Sequence, residues 1–277
     1  MSNRDHGPER AAPDTTEERL YWERVLGDGN EALDHQWEWL RYSRLLYVEW
    51  IRRYLQPRGL ARVLKTDGFE EMRGTEVTDL LREQYGRVVV MDLAHAALRQ
   101  SADRQSGSAI RCVQCAAQQL PFQPESFDAV LSLSTLDHFE TLEEIGQSLR
   151  ELHAVTRPGG QMLLTLDNAS NPVVWLRNGL PFGLLRWLSI SPYRYGATLG
   201  PRALRESLEA AGWSVRALTT VMHAPRVASV ALSRRVGAEG LLTRERYCRW
   251  LHWFEALGDW PTRYWTGYFL LAVCEKP

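Results

Sequence analysis

ARVLKTDGFEEMRG (Ala61 to Gly74) and VVVMDLAHAALRQ (Val88 to Gln100) are the two stretches on which the fold turns. Each passes from a short β-branched run into a helix-compatible segment through a turn that carries Asp or Glu. An open α/β sheet presents a nucleotide site in this way, at the carboxyl ends of its strands. Working outward, strands are expected at Arg62–Thr66, Arg87–Met91, Ala109–Val113, Ala129–Ser132 and Gln161–Leu166. Helical patterns at Thr75–Tyr85, Ala94–Gln100 and Leu142–Val155 separate them, which argues for a doubly wound, mostly parallel sheet. RPGG (Arg157 to Gly160) reads as a stop and turn before the fifth strand. A sixth strand is expected at Trp213–Val221 and a seventh at Tyr264–Glu275, beside it.

The flanks read as additions to this α/β unit. Residues 1–18 are polar, carry Pro8 and Pro13, and are expected to be a disordered tail. Residues 19–58 form a helical cap whose stripe of Leu33, Trp37, Leu40, Leu45, Trp50 and Ile51 recurs at helical spacing. That stripe either packs on the core or closes a pocket, in which case Trp37, Trp39 and Tyr42 face it. The α/β domain then runs over 59–277, with insertions at about 168–200 and 224–260. Insertions of that length in a compact domain are usually functional.

Composition narrows the partner. The chain has 277 residues, 44% of them hydrophobic, and a formal net charge of -1. A nearly neutral balance gives no electrostatic reason to bind nucleic acid or an anionic membrane, so a small-molecule partner is expected. No apolar run approaches a membrane span and the N-terminus has no apolar signal core, which predicts a cytoplasmic protein. The four cysteines do not make a disulfide scaffold. Cys112 and Cys115 form a lone CxxC with no second ligand pair at zinc spacing, so no metal is expected. Lys65 and Lys276 are the only lysines, and Lys65 falls inside the first acidic turn.

LPFQPESFDAVLSLSTLDHF (Leu120 to Phe139) and HAVTRPGGQMLLT (His153 to Thr165) resemble segments of the class I methyltransferases that use S-adenosylmethionine. The resemblance runs from about Leu60 to the C-terminus. It implies the Rossmann-like methyltransferase fold with seven strands, S-adenosylmethionine as cofactor, and methyl transfer to a small, partly apolar acceptor, such as a specialised metabolite. By the same resemblance Asp92 accepts the ribose hydroxyls and Leu93 lies against the adenine. Ala116, Ala117 and Gln118 occupy the stretch that meets the adenine amino group, where the family's usual Asp is replaced by Ala116. Ser132, at the end of the fourth strand, joins the cofactor set.

The first turn departs from the family pattern of an acid followed by Gly-x-Gly-x-Gly. Lys65 stands at the acid, and Asp67, Phe69 and Glu71 stand at the three glycines, leaving only Gly68. A lysine there repels the sulfonium and the methionine ammonium by about 4 kcal/mol for charges 4 Å apart at an effective dielectric of 20. Either the turn is rebuilt, with Asp67 or Glu70 taking the ammonium and Lys65 pairing with a neighbouring acid or the cofactor's carboxylate, or cofactor binding is weakened and the pocket does other work. Such work includes a non-methylating reaction such as cyclisation, or a non-catalytic role as an interaction subunit.

His138, just beyond the fourth strand, sits where a general base belongs, and equally where Asp137 and His138 cap the next helix. Asp167 and Asn168, just beyond the fifth strand, either face the crevice or form a turn. With Asn171, Tyr193 and Tyr195 of the insertion they are candidate acceptor contacts, as are Trp37 and Tyr42 of the cap.

Overall fold

A computed structural model describes residues 15–26, 37–55, 61–72, 74–104, 110–187, 195–236 and 242–277. Two helices lead in, α1 (Thr16–Leu26) and α2 (Trp37–Tyr54). The alternation that follows is β1 (Ala61–Lys65), α3 (Glu76–Tyr85), β2 (Gly86–Asp92), α4 (His95–Arg104), β3 (Ile110–Gln114), β4 (Phe127–Leu133), α5 (Leu142–Val155) and β5 (Thr156–Asp167). The remainder comprises α6 (Pro172–Gly179), α7 (Phe182–Trp187), α8 (Pro201–Ala210), β6 (Ser214–Val221), α9 (Arg226–Ser233), α10 (Arg244–Glu255), α11 (Arg263–Thr266) and β7 (Phe269–Glu275). α1 begins inside the stretch expected to be tail.

The seven strands form one sheet in the order β3-β2-β1-β4-β5-β7-β6. β1 to β5 are parallel, and β7 runs antiparallel between β5 and β6. The chain therefore winds outward from β1 to β3, returns to β4, and winds the other way. Its order reverses between β1 and β4, and the crevice at their carboxyl ends is where such folds bind ligands.

Both faces of the sheet are covered, as a parallel sheet requires. Along β1, Val63 packs with α2 and α3 through Ile51, Leu55 and Leu81, while Leu64 packs on the other face with Leu149 and Leu152 of α5 and Leu204 of α8. The two-residue period of the strand makes this division. α5 is held at its start by a capping box, Thr141 accepting from the Glu144 backbone and Glu144 from that of Thr141.

Two expectations are corrected. RPGG does not lie outside the fifth strand but bulges within it: β4 pairing advances from Phe127 to Ala129 while β5 advances from Thr156 to Gln161. Gly159 takes a φ of 73° there, which a glycine adopts without strain. The seventh strand begins at Phe269, because its neighbour β6 ends at Val221, its partner. Tyr264 belongs instead to α11. No helix among the described residues is long and apolar enough to cross a membrane.

Candidate active site

The pocket opens over the carboxyl ends of β1, β2 and β4, with an empty volume of about 1200 Å³ that includes its open mouth. One end is made by the two acidic turns. Asp92 lines it, and each of its carboxylate oxygens accepts one backbone N–H: Oδ2 from Gly68 and Oδ1 from Ala94, both at 2.8 Å. A carboxylate oxygen has two lone pairs, so each retains one for a ligand hydroxyl. Burial raises the Asp92 carboxyl to about 6, and the two N–H bonds oppose that rise. Met91, Leu93, Cys115, Ala116, Ala117 and Gln118 continue the wall.

The first turn is built without glycine's conformational freedom. After β1 the chain bends and enters a short 3-10 turn at Glu70–Met72, and no described residue from Lys65 to Met72 takes a positive φ. Lys65 is wholly buried and does not line the pocket. Its ammonium donates to the Asp67 carbonyl at 2.7 Å and to Glu71 Oε2 at 2.9 Å, and lies 2.9 Å from Asp67 Oδ2. Two of its protons are thus hydrogen-bonded, and the Asp67 carboxylate adds an ion-pair contact. Burial alone would lower the Lys65 pKa, but Asp67 and Glu71 more than offset it and hold the group charged. Burial also pushes Glu71 up to about 7 against the pull of Lys65.

Asp67 and Glu70 are left facing the pocket. Glu70 Oε2 is buried without a hydrogen-bond partner and lies 3.7 Å from Arg44 Nη1 of α2. Burial lifts the Glu70 carboxyl to about 8, partly countered by Arg44. Beneath, Thr66 Oγ1 donates to Ser132 Oγ at 3.0 Å and shares a 2.8 Å bond with Thr135 Oγ1. Ser132 is thus floor rather than lining, and Gly68 contributes its N–H to Asp92.

The other end is made by the loop after β4, by α1 and by the insertion. Ser134 takes a φ of 53°, unusual for a residue with a side chain, and donates its hydroxyl to Asp137 Oδ2 at 2.9 Å. Asp137 and His138 both line the pocket, the His138 ring meeting Trp22 of α1 edge-on at 4.7 Å. Glu23 of the same helix accepts from the N–H groups of His95 and Ala96 at 2.6 and 3.0 Å, fastening α1 to the start of α4. Gly196 passes so close to Phe139 that an added Cβ would lie 2.1 Å from its carbonyl oxygen. This brings Tyr195 to the pocket.

Several expected acceptor contacts are placed elsewhere. Asp167 pairs with Arg177 at 2.6 Å, both buried, and the Arg177 guanidinium stacks 3.5 Å from the Tyr195 ring centroid. Asn168 donates to the carbonyls of Tyr264 and Gly267 and accepts from Ser170. Asn171 caps α6 and donates to the carbonyls of Thr266 and Gly267. These side chains tie β5 to the segment before β7 and do not line the pocket. Trp37 is 37% exposed beside Arg44, and Tyr42 is buried in the core. The face of α2 that reaches the pocket is Trp39, Leu40, Ser43 and Tyr47. Tyr193 lies outside the described residues. Glu18 and Trp22 were not legible as site residues, because only the packing of α1 on α4 brings them there.

Residues 71–164 match the family model described as "Methyltransferase domain". That stretch, from the first acidic turn into β5, is similar to a methyltransferase domain, and it lies within an open, doubly wound α/β sheet. The chain is 26% identical over 141 residues to a ubiquinone biosynthesis O-methyltransferase of Rhizobium rhizogenes, a match covering 51% of this chain and 56% of the relative. It is 36% identical over 94 residues to a ubiquinone/menaquinone biosynthesis C-methyltransferase of Hahella chejuensis, covering 32% of this chain and 36% of the relative. The chain thus spans about half or less of these curated relatives. Among solved structures, the geranyl diphosphate C-methyltransferase of Streptomyces coelicolor aligns over 98% of this chain and 100% of its own, with a TM-score of 0.60 and 13% identity. The [4+2]-cyclase SpnF aligns over 84% and 81%, with a TM-score of 0.56 and 20% identity. At such identities these two structures speak to the fold alone.

Proposed function

We propose that the pocket binds S-adenosylmethionine and that the methyltransferase domain passes its methyl group to a small, partly apolar acceptor. The observation that carries this reading is Asp92, at the end of β2, with one lone pair on each oxygen left toward the pocket. The ribose belongs there, and the adenine lies along Leu93, Ala117 and Gln118. Asp67 and Glu70 take the methionine ammonium in place of the acid that Lys65 displaces. With Lys65 neutralised by Asp67 and Glu71, the repulsion expected from the sequence is removed, and the turn keeps an excess of carboxyl groups toward a cationic ligand.

When bound, S-adenosylmethionine supplies an electrophilic methyl group. The chain's own part is to hold the acceptor in line and to receive its proton. His138 is the group we assign to the proton, since it lines the acceptor end and is oriented by Trp22. The relatives named for ubiquinone biosynthesis and for geranyl diphosphate support a small, apolar-bodied acceptor.

Titration calorimetry with S-adenosylmethionine and S-adenosylhomocysteine tests the donor site. Binding near micromolar, about -8 kcal/mol, should fall at least tenfold in Asp92→Ala. Absence of binding by either ligand would sink the reading. Lys65 in place of the family's acid favours one second reading, a rearrangement or cyclisation on the same fold without methyl transfer. Conversion of an acceptor with no homocysteine product formed would identify it.

A further inference from the structure

With the donor assigned to the Asp92 end, the opposite end of the pocket holds two carboxyl groups, Asp137 and Glu18. Asp137 is 3% exposed, lines the pocket, and has Oδ2 satisfied by Ser134, while Oδ1 is buried with no hydrogen-bond partner. Its backbone is fixed as well, its carbonyl accepting from Gly196 at 2.8 Å. Glu18 reaches the same pocket from α1. Burial, together with Glu144 and Glu140, raises its carboxyl to about 7.

His138 lies beside Asp137 and acts on its charge, while the two arginines of this region have other contacts. Arg177 is spent on Asp167 and stacked on Tyr195, and Arg226, which lines the pocket, lies 4.9 Å from the Tyr268 ring centroid. The intervening walls are aromatic and aliphatic, with Trp22, Trp39, Leu40, Phe139 and Phe269 among them.

A buried acceptor without a donor is costly, and a ligand that brings the donor recovers that cost. A neutral acceptor without N–H or O–H leaves Asp137 Oδ1 unmet, an anionic one brings no donor to it, and a cation favours the ionised form of two carboxyl groups that burial raises. A protonated amine meets both, and Trp22 and Trp39 in the same lining are residues of a kind that attracts a cation. We propose that the acceptor carries a basic amine on a mostly apolar body, its ammonium anchoring it by donating to Asp137 Oδ1 and sharing its charge with Glu18, while the atom that takes the methyl group is elsewhere on that body. This assigns the substrate class within the function proposed above, but the amine site does not depend on the donor being bound.

The test uses three probes with one body: tryptamine, 3-ethylindole and indole-3-propionate. Binding is measured by calorimetry on the full chain, with and without S-adenosylhomocysteine. Tryptamine should bind at least tenfold tighter than 3-ethylindole, and indole-3-propionate weakest. Asp137→Asn should bring tryptamine and 3-ethylindole within about twofold while leaving S-adenosylhomocysteine affinity unchanged. Glu18→Gln, on an accessible helix, should cut the preference at least threefold, and it carries the test if Asp137→Asn does not fold. Equal binding of amine and neutral probe, preference for the carboxylate, no measurable tryptamine binding to millimolar concentration, or a preference that survives in the folded variants would each overturn the proposal. A tryptamine preference without S-adenosylhomocysteine binding would uphold the amine site and remove the donor reading, so the two fail separately.

Discussion

Lys65 shows how a single charge is made tolerable at the centre of an α/β site. A lone ammonium with no exposure would lose its proton, but two carboxylates and a carbonyl hold it. The arrangement is internal to the turn, so the cation acts on turn shape and not on ligand. Lys65→Met removes the cation and leaves Asp67 and Glu71 facing each other without it. The expected loss is about 3–5 kcal/mol of stability, read as a lowered urea midpoint. An unchanged midpoint would show that the cluster is not holding the turn.

At the same scale, Glu255 gives a pH prediction. Its carboxylate accepts from the N–H groups of Met222 and His223 at 3.1 and 3.0 Å. Burial nevertheless raises it from an ordinary 4.5 to about 7, with Glu49 adding to the rise. The folded chain therefore keeps a proton that the unfolded chain releases. This contribution is fully present below 4.5 and is lost as pH rises through 7. Between pH 5 and pH 8 the thermal midpoint should fall by roughly a few degrees on this account, and Glu255→Gln should make the whole fall shallower by that amount. A parallel profile in the variant would refute the assignment.

Among elements, α6 shows how an insertion is anchored. Asn171 accepts from Val173 and Val174 N–H as the helix cap, and donates to carbonyls at 266 and 267 on the far side of the chain. Asn171→Ala should cost about 1–2 kcal/mol from the cap alone, with further loss from the two carbonyls it leaves. Chemical denaturation gives the number, and a change under about 0.5 kcal/mol would mean that α6 is held by other contacts. Arg177 of the same helix pairs with Asp167 at the end of β5. The pair acts on the pocket at one remove, since Arg177 stacks on Tyr195, which lines it.

For the whole molecule, the consequence of the proposed donor site is linkage. A ligand that binds only the folded state adds about 2.7 kcal/mol at a hundred times its Kd. For a domain of this size that is about 5 to 8 °C in thermal midpoint with S-adenosylhomocysteine. Asp92→Ala should abolish most of the shift. A shift retained in full by the variant would place the nucleoside elsewhere.

The sheet was legible in the sequence because its signals are local. Strand runs alternate with helical periods, and the turn after β2 carries Asp92, so fold class, the succession of strands and helices and the position of one carboxylate follow from residues near one another in the chain. Strand ends were less legible, since β7 extends only as far as β6 offers partners. The site beyond Asp92 was decided by tertiary structure. Lys65 turns inward because a short 3-10 turn folds Glu71 back onto it, and Glu70 meets Arg44 from a helix that precedes the sheet. Asp167, Asn168 and Asn171 sit where topology puts ligand contacts, yet nearer partners claim them: Arg177 and the carbonyls before β7. Glu18 and Trp22 reach the pocket only because Glu23 docks α1 on α4. Periodicity and turn chemistry act over a few residues and can be read along the chain, whereas which of several carboxyl groups stays unpaired depends on every donor that folding brings within reach.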